Sequence, residues 1–168
     1  RAIPGLTLMS PIDEWELRMM MYTAYKHKDE GPFVIRYPRG EGSNGSWRMP
    51  LEELPIGKSD ELAEGEELVI VTYGPVGAVA RRVVERLREE KKKSVGLINL
   101  RFLKPLDTEM LDELPKRYHQ ILTIEDAALA GGMGSALLEY YADRSVTIPI
   151  HRLGVSDEYI RHGDVVVQ

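Results

Sequence analysis

From Leu68 to Leu153 the sequence repeats one unit: a short apolar run, a turn, then a stretch with helical spacing. That alternation constrains the fold more than any other feature of the chain. Leu68–Tyr73 reads as a strand closed by Gly74-Pro75. Residues 77–91 read as a helix with Val79, Val83, Val84 and Leu87 on one face and Arg81, Arg82, Glu85 and Arg88 on the other. Val95–Leu100 is a second strand, and Asp107-Thr108-Glu109 opens a helix that Pro115 stops near Leu114. Gln120–Ile124 is a strand, 132–142 a helix, and Val146–Leu153 a strand that tolerates Pro149 only near an edge or bulge. Strands alternating with helices need right-handed crossovers. This part of the chain therefore predicts an α/β fold with a largely parallel sheet covered on both faces.

The first part of the chain differs. Ser10-Pro11-Ile12-Asp13 reads as a helix start, with Ser10 able to cap, Pro11 suited to the first turn and Asp13 placed to bond back. Trp15, Leu17, Met20, Met21, Ala24 and Tyr25 follow at helical spacing, and Lys26, His27 and Lys28 suit the negative end of the dipole. Gly31-Pro32 stops the helix, and Phe33–Tyr37 is a short strand ended by Pro38. One helix and one strand have no sheet of their own, so they must complete a domain whose remainder lies elsewhere. Gly40, Gly42, Gly45, Pro50, Pro55 and Gly57 then break up a polar, acidic stretch within 40–67, with Trp47, Leu51, Leu54 and Ile56 available to pin it to a surface. The expected organisation is an incomplete unit over 1–45, a linker over 46–59 and an α/β domain over 60–168. With Arg1 in place of Met and an apolar VVVQ at 165–168, both ends look cut, and a piece of a longer protein is expected.

Composition excludes several classes. A net charge of −5 with no basic stripe argues against nucleic acid. No apolar run approaches the ~18–20 residues of a membrane span. The absence of cysteine rules out disulfides and thiolate metal sites and fits a reducing cytoplasm. The histidines, His27, His119, His151 and His162, are scattered without metal-binding spacing, so no metal site is expected. No G-x-S-x-G elbow occurs.

Two stretches invite a ligand. TIEDAALAGGMGSALLE (123–139) runs from a strand through glycines into a helix, as phosphate-binding folds begin. Its best dinucleotide register, Gly132-Met133-Gly134-Ser135-Ala136-Leu137, ends on Leu where a small residue is needed, and the loop before Gly131 is too long for the tight turn. The glycines are therefore read as packing residues, and Glu125 and Asp126 as acids that hold the loop or an interface. The second stretch, FVIRYPRGEG (33–42), sets Arg36 and Arg39 around Tyr37-Pro38. A guanidinium fork matches phosphate or carboxylate, and the alternative is a structural ion pair with an acid such as Glu14 or Glu16.

Four stretches taken together resemble one family: MSPIDEWELRMMMYTAYKHKDEGPFVIRYPRGEG (9–42), LINLRFLKPLD (97–107), TIEDAALAGGMGSALLE (123–139) and GVSDEYIRHG (154–163). The sequence is similar to the carboxyl-terminal part of the 1-deoxy-D-xylulose-5-phosphate synthases, a transketolase-like family. The family's usual D-E-N-E is Asp13-Glu14-Trp15-Glu16 in this chain, a departure at the third position.

The resemblance implies a transketolase carboxyl-terminal-domain-like three-layer fold, with one strand of its mostly parallel sheet reversed at the edge. The last helix and strand of a pyrimidine-binding domain would precede it. It implies a homodimer that condenses pyruvate with glyceraldehyde 3-phosphate, using thiamine diphosphate and magnesium bound by missing amino-terminal domains. On this reading the chain carries no catalytic, cofactor or metal residue and is inactive alone. Arg39, with Arg36 as second choice, contacts the substrate phosphate. The alternatives are a fragment of a transketolase or of a 2-oxo-acid dehydrogenase β-subunit, and a non-catalytic module that binds a regulatory effector.

Overall fold

A computed structural model describes residues 1–39 and 49–159. The expected positions Gly40, Gly42, Gly45, Trp47 and His162 lie outside them. The larger sheet has five strands in the order β3 (Asp60–Ala63), β5 (Val95–Asn99), β4 (Leu68–Tyr73), β7 (Gln120–Ala128) and β8 (Ile150–Val155). All neighbouring pairs are parallel except β3 with β5, which puts one reversed strand at an edge. The central strand β4 is apolar on both sides, as a sheet covered on both faces requires.

Helices supply that cover. α3 (Thr108–Arg117) and α4 (Met133–Asp143) bring Leu111, Leu114, Met133, Leu137 and Tyr141 to one face, against Val69, Val71, Ile98 and Ile121. α2 (Val76–Lys91) covers the other face, with Ala80 and Val84 against Ile70 and Leu97. The expected apolar stripe of α2 is rotated. Val79 and Val83 are 49% and 46% exposed, because the small Gly77 and Ala80 make the close approach.

Three short strands escape the sequence reading: β1 (Thr7–Met9), β3 and β6 (Phe102–Lys104). β1 pairs in parallel with β2 (Phe33–Ile35) and antiparallel with β6, giving a second sheet ordered β2-β1-β6. The first part of the chain therefore does have a sheet, and it shares that sheet with the α/β part. A core of Met9, Met19, Met20, Leu54 and Phe102 fills the space between α1 (Glu14–Lys26) and this small sheet. Leu54 and Ile56 pin the connecting segment to that core, whereas Leu51 is exposed.

The helix starts and stops also shift. Asp13, not Ser10, caps α1, accepting from the Glu16 amide at 2.8 Å. Pro115 does not stop α3 but lies inside its last turn. The carbonyl of Leu111, which Pro115 cannot bond, accepts the Tyr141 hydroxyl at 2.8 Å. The last strand starts after Pro149, on the sheet's edge, and β7 runs four residues beyond Ile124.

Candidate functional site

The carboxyl ends of β4 and β7 lie side by side, with Tyr73 and Glu125 in register. Ligand sites gather at this edge of open α/β sheets. The glycine loop after β7 is there, and its anion position is already filled. The Glu125 carboxylate, 3% exposed, accepts from the amides of Met133 at 2.6 Å and Gly134 at 2.9 Å, the first turn of α4. It satisfies donors that a phosphate would otherwise take. Gly132 is required by this contact, since a Cβ there would lie 2.2 Å from a Glu125 oxygen. The reading of these glycines as packing residues and of Glu125 as a loop anchor agrees with this geometry.

The RYPRG arginines reach the same edge from the other side. Arg36 follows β2, donates to the Asp126 carbonyl and lies 3.6 Å from the Asp126 carboxylate. Its acid is thus Asp126 of the sheet and not Glu14 or Glu16. Its backbone is fixed too: its amide donates to the Met9 carbonyl at 2.9 Å, and its carbonyl accepts the Ser10 hydroxyl at 2.6 Å. Arg39, beyond Pro38, is exposed and has no side-chain partner among the described residues. The Tyr73 hydroxyl near Arg36 is buried without a hydrogen-bond partner among the described residues, and burial pushes it well above the ordinary phenol range.

Glu16 goes elsewhere. Its carboxylate is 1% exposed and accepts from Arg101 Nε at 2.5 Å, from Asn99 Nδ2 at 3.0 and 3.1 Å, and from the Ile12 amide at 2.7 Å. Arg101 also meets Asp60 at 2.9 Å and adopts φ +54°, uncommon for a residue with a side chain. Sequence reasoning assigned no role to Arg101, Asn99 or Tyr73. The run LINLRFLKPLD marked the region, but a pairing across 85 positions leaves no local signal. Among the described residues no group of three histidines, cysteines or acids is placed to hold a metal, and no helix is long and apolar enough to cross a membrane.

The chain is similar to known proteins. Residues 57–168 match the family described as "Transketolase, C-terminal domain". A 1-deoxy-D-xylulose-5-phosphate synthase of Bacteroides fragilis is 51% identical over 98% of this chain and 25% of its own length. The synthase of Porphyromonas gingivalis is 43% identical over all of this chain and 26% of its own. The chain thus spans about a quarter of the length of these relatives. In three dimensions it is similar to a split gene transketolase, solved as an inactive β4 tetramer. The TM-score is 0.79 and the identity 27%, over 94% of this chain and 50% of that one. The family model matches more than half of the chain: this chain belongs to the transketolase C-terminal domain family.

Proposed function

We propose that the chain is the carboxyl-terminal portion of a cytoplasmic homodimeric enzyme that joins pyruvate to glyceraldehyde 3-phosphate, releasing carbon dioxide and forming 1-deoxy-D-xylulose 5-phosphate. The names and identities of the synthase relatives support this reading. Residues 1–45 would end a pyrimidine-binding domain, 46–59 link it, and 60–168 form the carboxyl-terminal domain. Thiamine diphosphate with magnesium supplies the two-carbon carbanion chemistry in such enzymes. Among the described residues no cluster of histidines, cysteines or acids is placed to hold that metal.

What this chain contributes is a grip on the aldehyde's phosphate. The observation that carries this is Arg36: its backbone is tied to Met9 and Ser10, and its guanidinium is fixed at the sheet's carboxyl edge. A pre-placed fork orients the acceptor without losing side-chain entropy on binding. The Asp126 carboxylate beside it is exposed to solvent, so a phosphate can take that carboxylate's place at the fork. Arg39, exposed beyond Pro38, adds a second charge. The sequence favours Arg39, and the anchoring moves the weight to Arg36.

In the complete enzyme, Arg36→Ala is expected to raise the KM for the phosphorylated aldehyde at least about tenfold, the loss of one charge-assisted contact of ~1.5–3 kcal/mol, with little change for pyruvate. Arg39→Ala should act in the same direction but less. Equal effects on both substrates would overturn the assignment. The tetramer named for the structural neighbour favours a second role for this chain, assembly rather than chemistry. On either view the isolated chain is expected to turn over neither substrate.

A further inference from the structure

The connecting segment passes along α1 on its way to β3, and polar ties hold 49–54 there. Arg18 donates to the Met49 carbonyl at 2.9 Å, and the Glu52 amide meets Met19 Sδ at 2.9 Å. The Leu54 amide donates to the Thr23 hydroxyl at 2.8 Å, and that hydroxyl donates in turn to the Met19 carbonyl. Glu53 completes the series at His27, whose Nε2 lies 2.6 Å from its carboxylate. Met19, Thr23 and His27 follow at four-residue spacing, so the ties run down one side of α1 to its end. Leu54 is buried in the small core, but Met49 and Leu51 are 53% and 49% exposed. No apolar burial holds 49–53, so the ties decide whether that stretch stays on the helix.

One tie is titratable. His27 Nε2 faces Glu53 of the segment, and its Nδ1 lies 2.8 Å from Glu30 of the turn after α1. These carboxylates are the charged groups that act on it among the described residues, while the neighbouring Lys28 lies over the Tyr25 ring, 5.9 Å from its centre. A protonated imidazole donates from both nitrogens and joins both acids. The neutral ring has one N–H and sets a lone pair against the other carboxylate. Both acids are exposed, at 44% and 65%, which keeps the tie weak enough to open.

We infer that 49–54 is a strap fastened to α1 by a proton-dependent clasp, His27 with Glu53, and that losing the proton loosens 49–53 while Leu54 and Ile56 stay in the core. The clasp sets how firmly the exit of RYPRG is tied to the α/β part, whichever residue holds substrate. Bonds to Glu53 first and Glu30 second raise the His27 pKa. The clasp is therefore fully closed below the unfolded value of ~6.5 and opens as pH rises through the folded one.

Hydrogen exchange of the complete protein, read on a peptide carrying the Glu52 amide and corrected for intrinsic pH dependence, tests this. From pH 6 to pH 8 the protection of that amide is expected to fall about threefold. In His27→Gln and in Glu53→Gln it should already be low at pH 6 and change little. The same fall in either variant would overturn the inference, as would no fall in the unsubstituted protein. A Glu52 amide that exchanges no faster than those of β4 would overturn it too, because the strap would then open only with the whole fold. Should one variant not fold, the other makes the same comparison.

Discussion

At the scale of single residues, the polar groups are placed by what they must satisfy. Asp13 caps α1 because its side chain reaches the Glu16 amide, while the Ser10 hydroxyl is taken by Arg36. Glu125 fills the helix end that its glycine loop exposes and takes the amide donors that a phosphate would need. His27 closes the other end of α1. It lies 2.6 Å from Glu53 and 2.8 Å from Glu30, and the bonds to Glu53 first and Glu30 second raise its pKa above the ordinary histidine value. A raised folded pKa stabilises fully below the unfolded value of ~6.5 and is lost as pH rises through the folded one. The chain is therefore expected to lose thermal stability from about pH 6 toward pH 8, and His27→Gln should flatten that slope. Melting temperatures of both forms across this window test it, and identical slopes would count against the His27 clamp.

At the scale of elements, pattern located them and neighbours set their limits. Sequence places α2 within one residue but turns its face, since Gly77 and Ala80 let the helix approach where valines would hold it off. Proline rules end α3 too early. They assume a lost hydrogen bond cannot be replaced, and Tyr141 of α4 replaces it at Leu111. Tyr141→Phe is expected to cost ~1–2 kcal/mol by stranding that buried carbonyl. Equilibrium denaturation with urea measures this, and a loss below a few tenths would show that the carbonyl finds another donor.

At the scale of the whole molecule, the first and last parts of the chain share a sheet and a core. β6 leaves the α/β part to pair with β1, and Phe102, fully buried, sits among Met9, Met19, Met20 and Leu54. Phe102→Ala is expected to cost ~3–5 kcal/mol. Hydrogen exchange should then quicken in α1 and β1 more than in β4 and β5. Uniform quickening would mean that the two parts open only together.

The alternation of apolar runs and amphipathic helices was enough to specify an α/β fold with a mostly parallel sheet, because side-chain periodicity is local and follows backbone geometry. RYPRG was legible as a candidate for the same reason: adjacent residues carry its chemistry. The short strands β1, β3 and β6 were not legible, since three or four residues hold no periodicity and become strands only by pairing with partners far away in the chain. Tertiary structure alone decided that Arg36 meets Asp126, that Glu16 meets Arg101, and that Glu125 occupies the glycine loop. Each is a charge or donor satisfied across a fold, and burial makes an unsatisfied group costly whatever its distance in sequence.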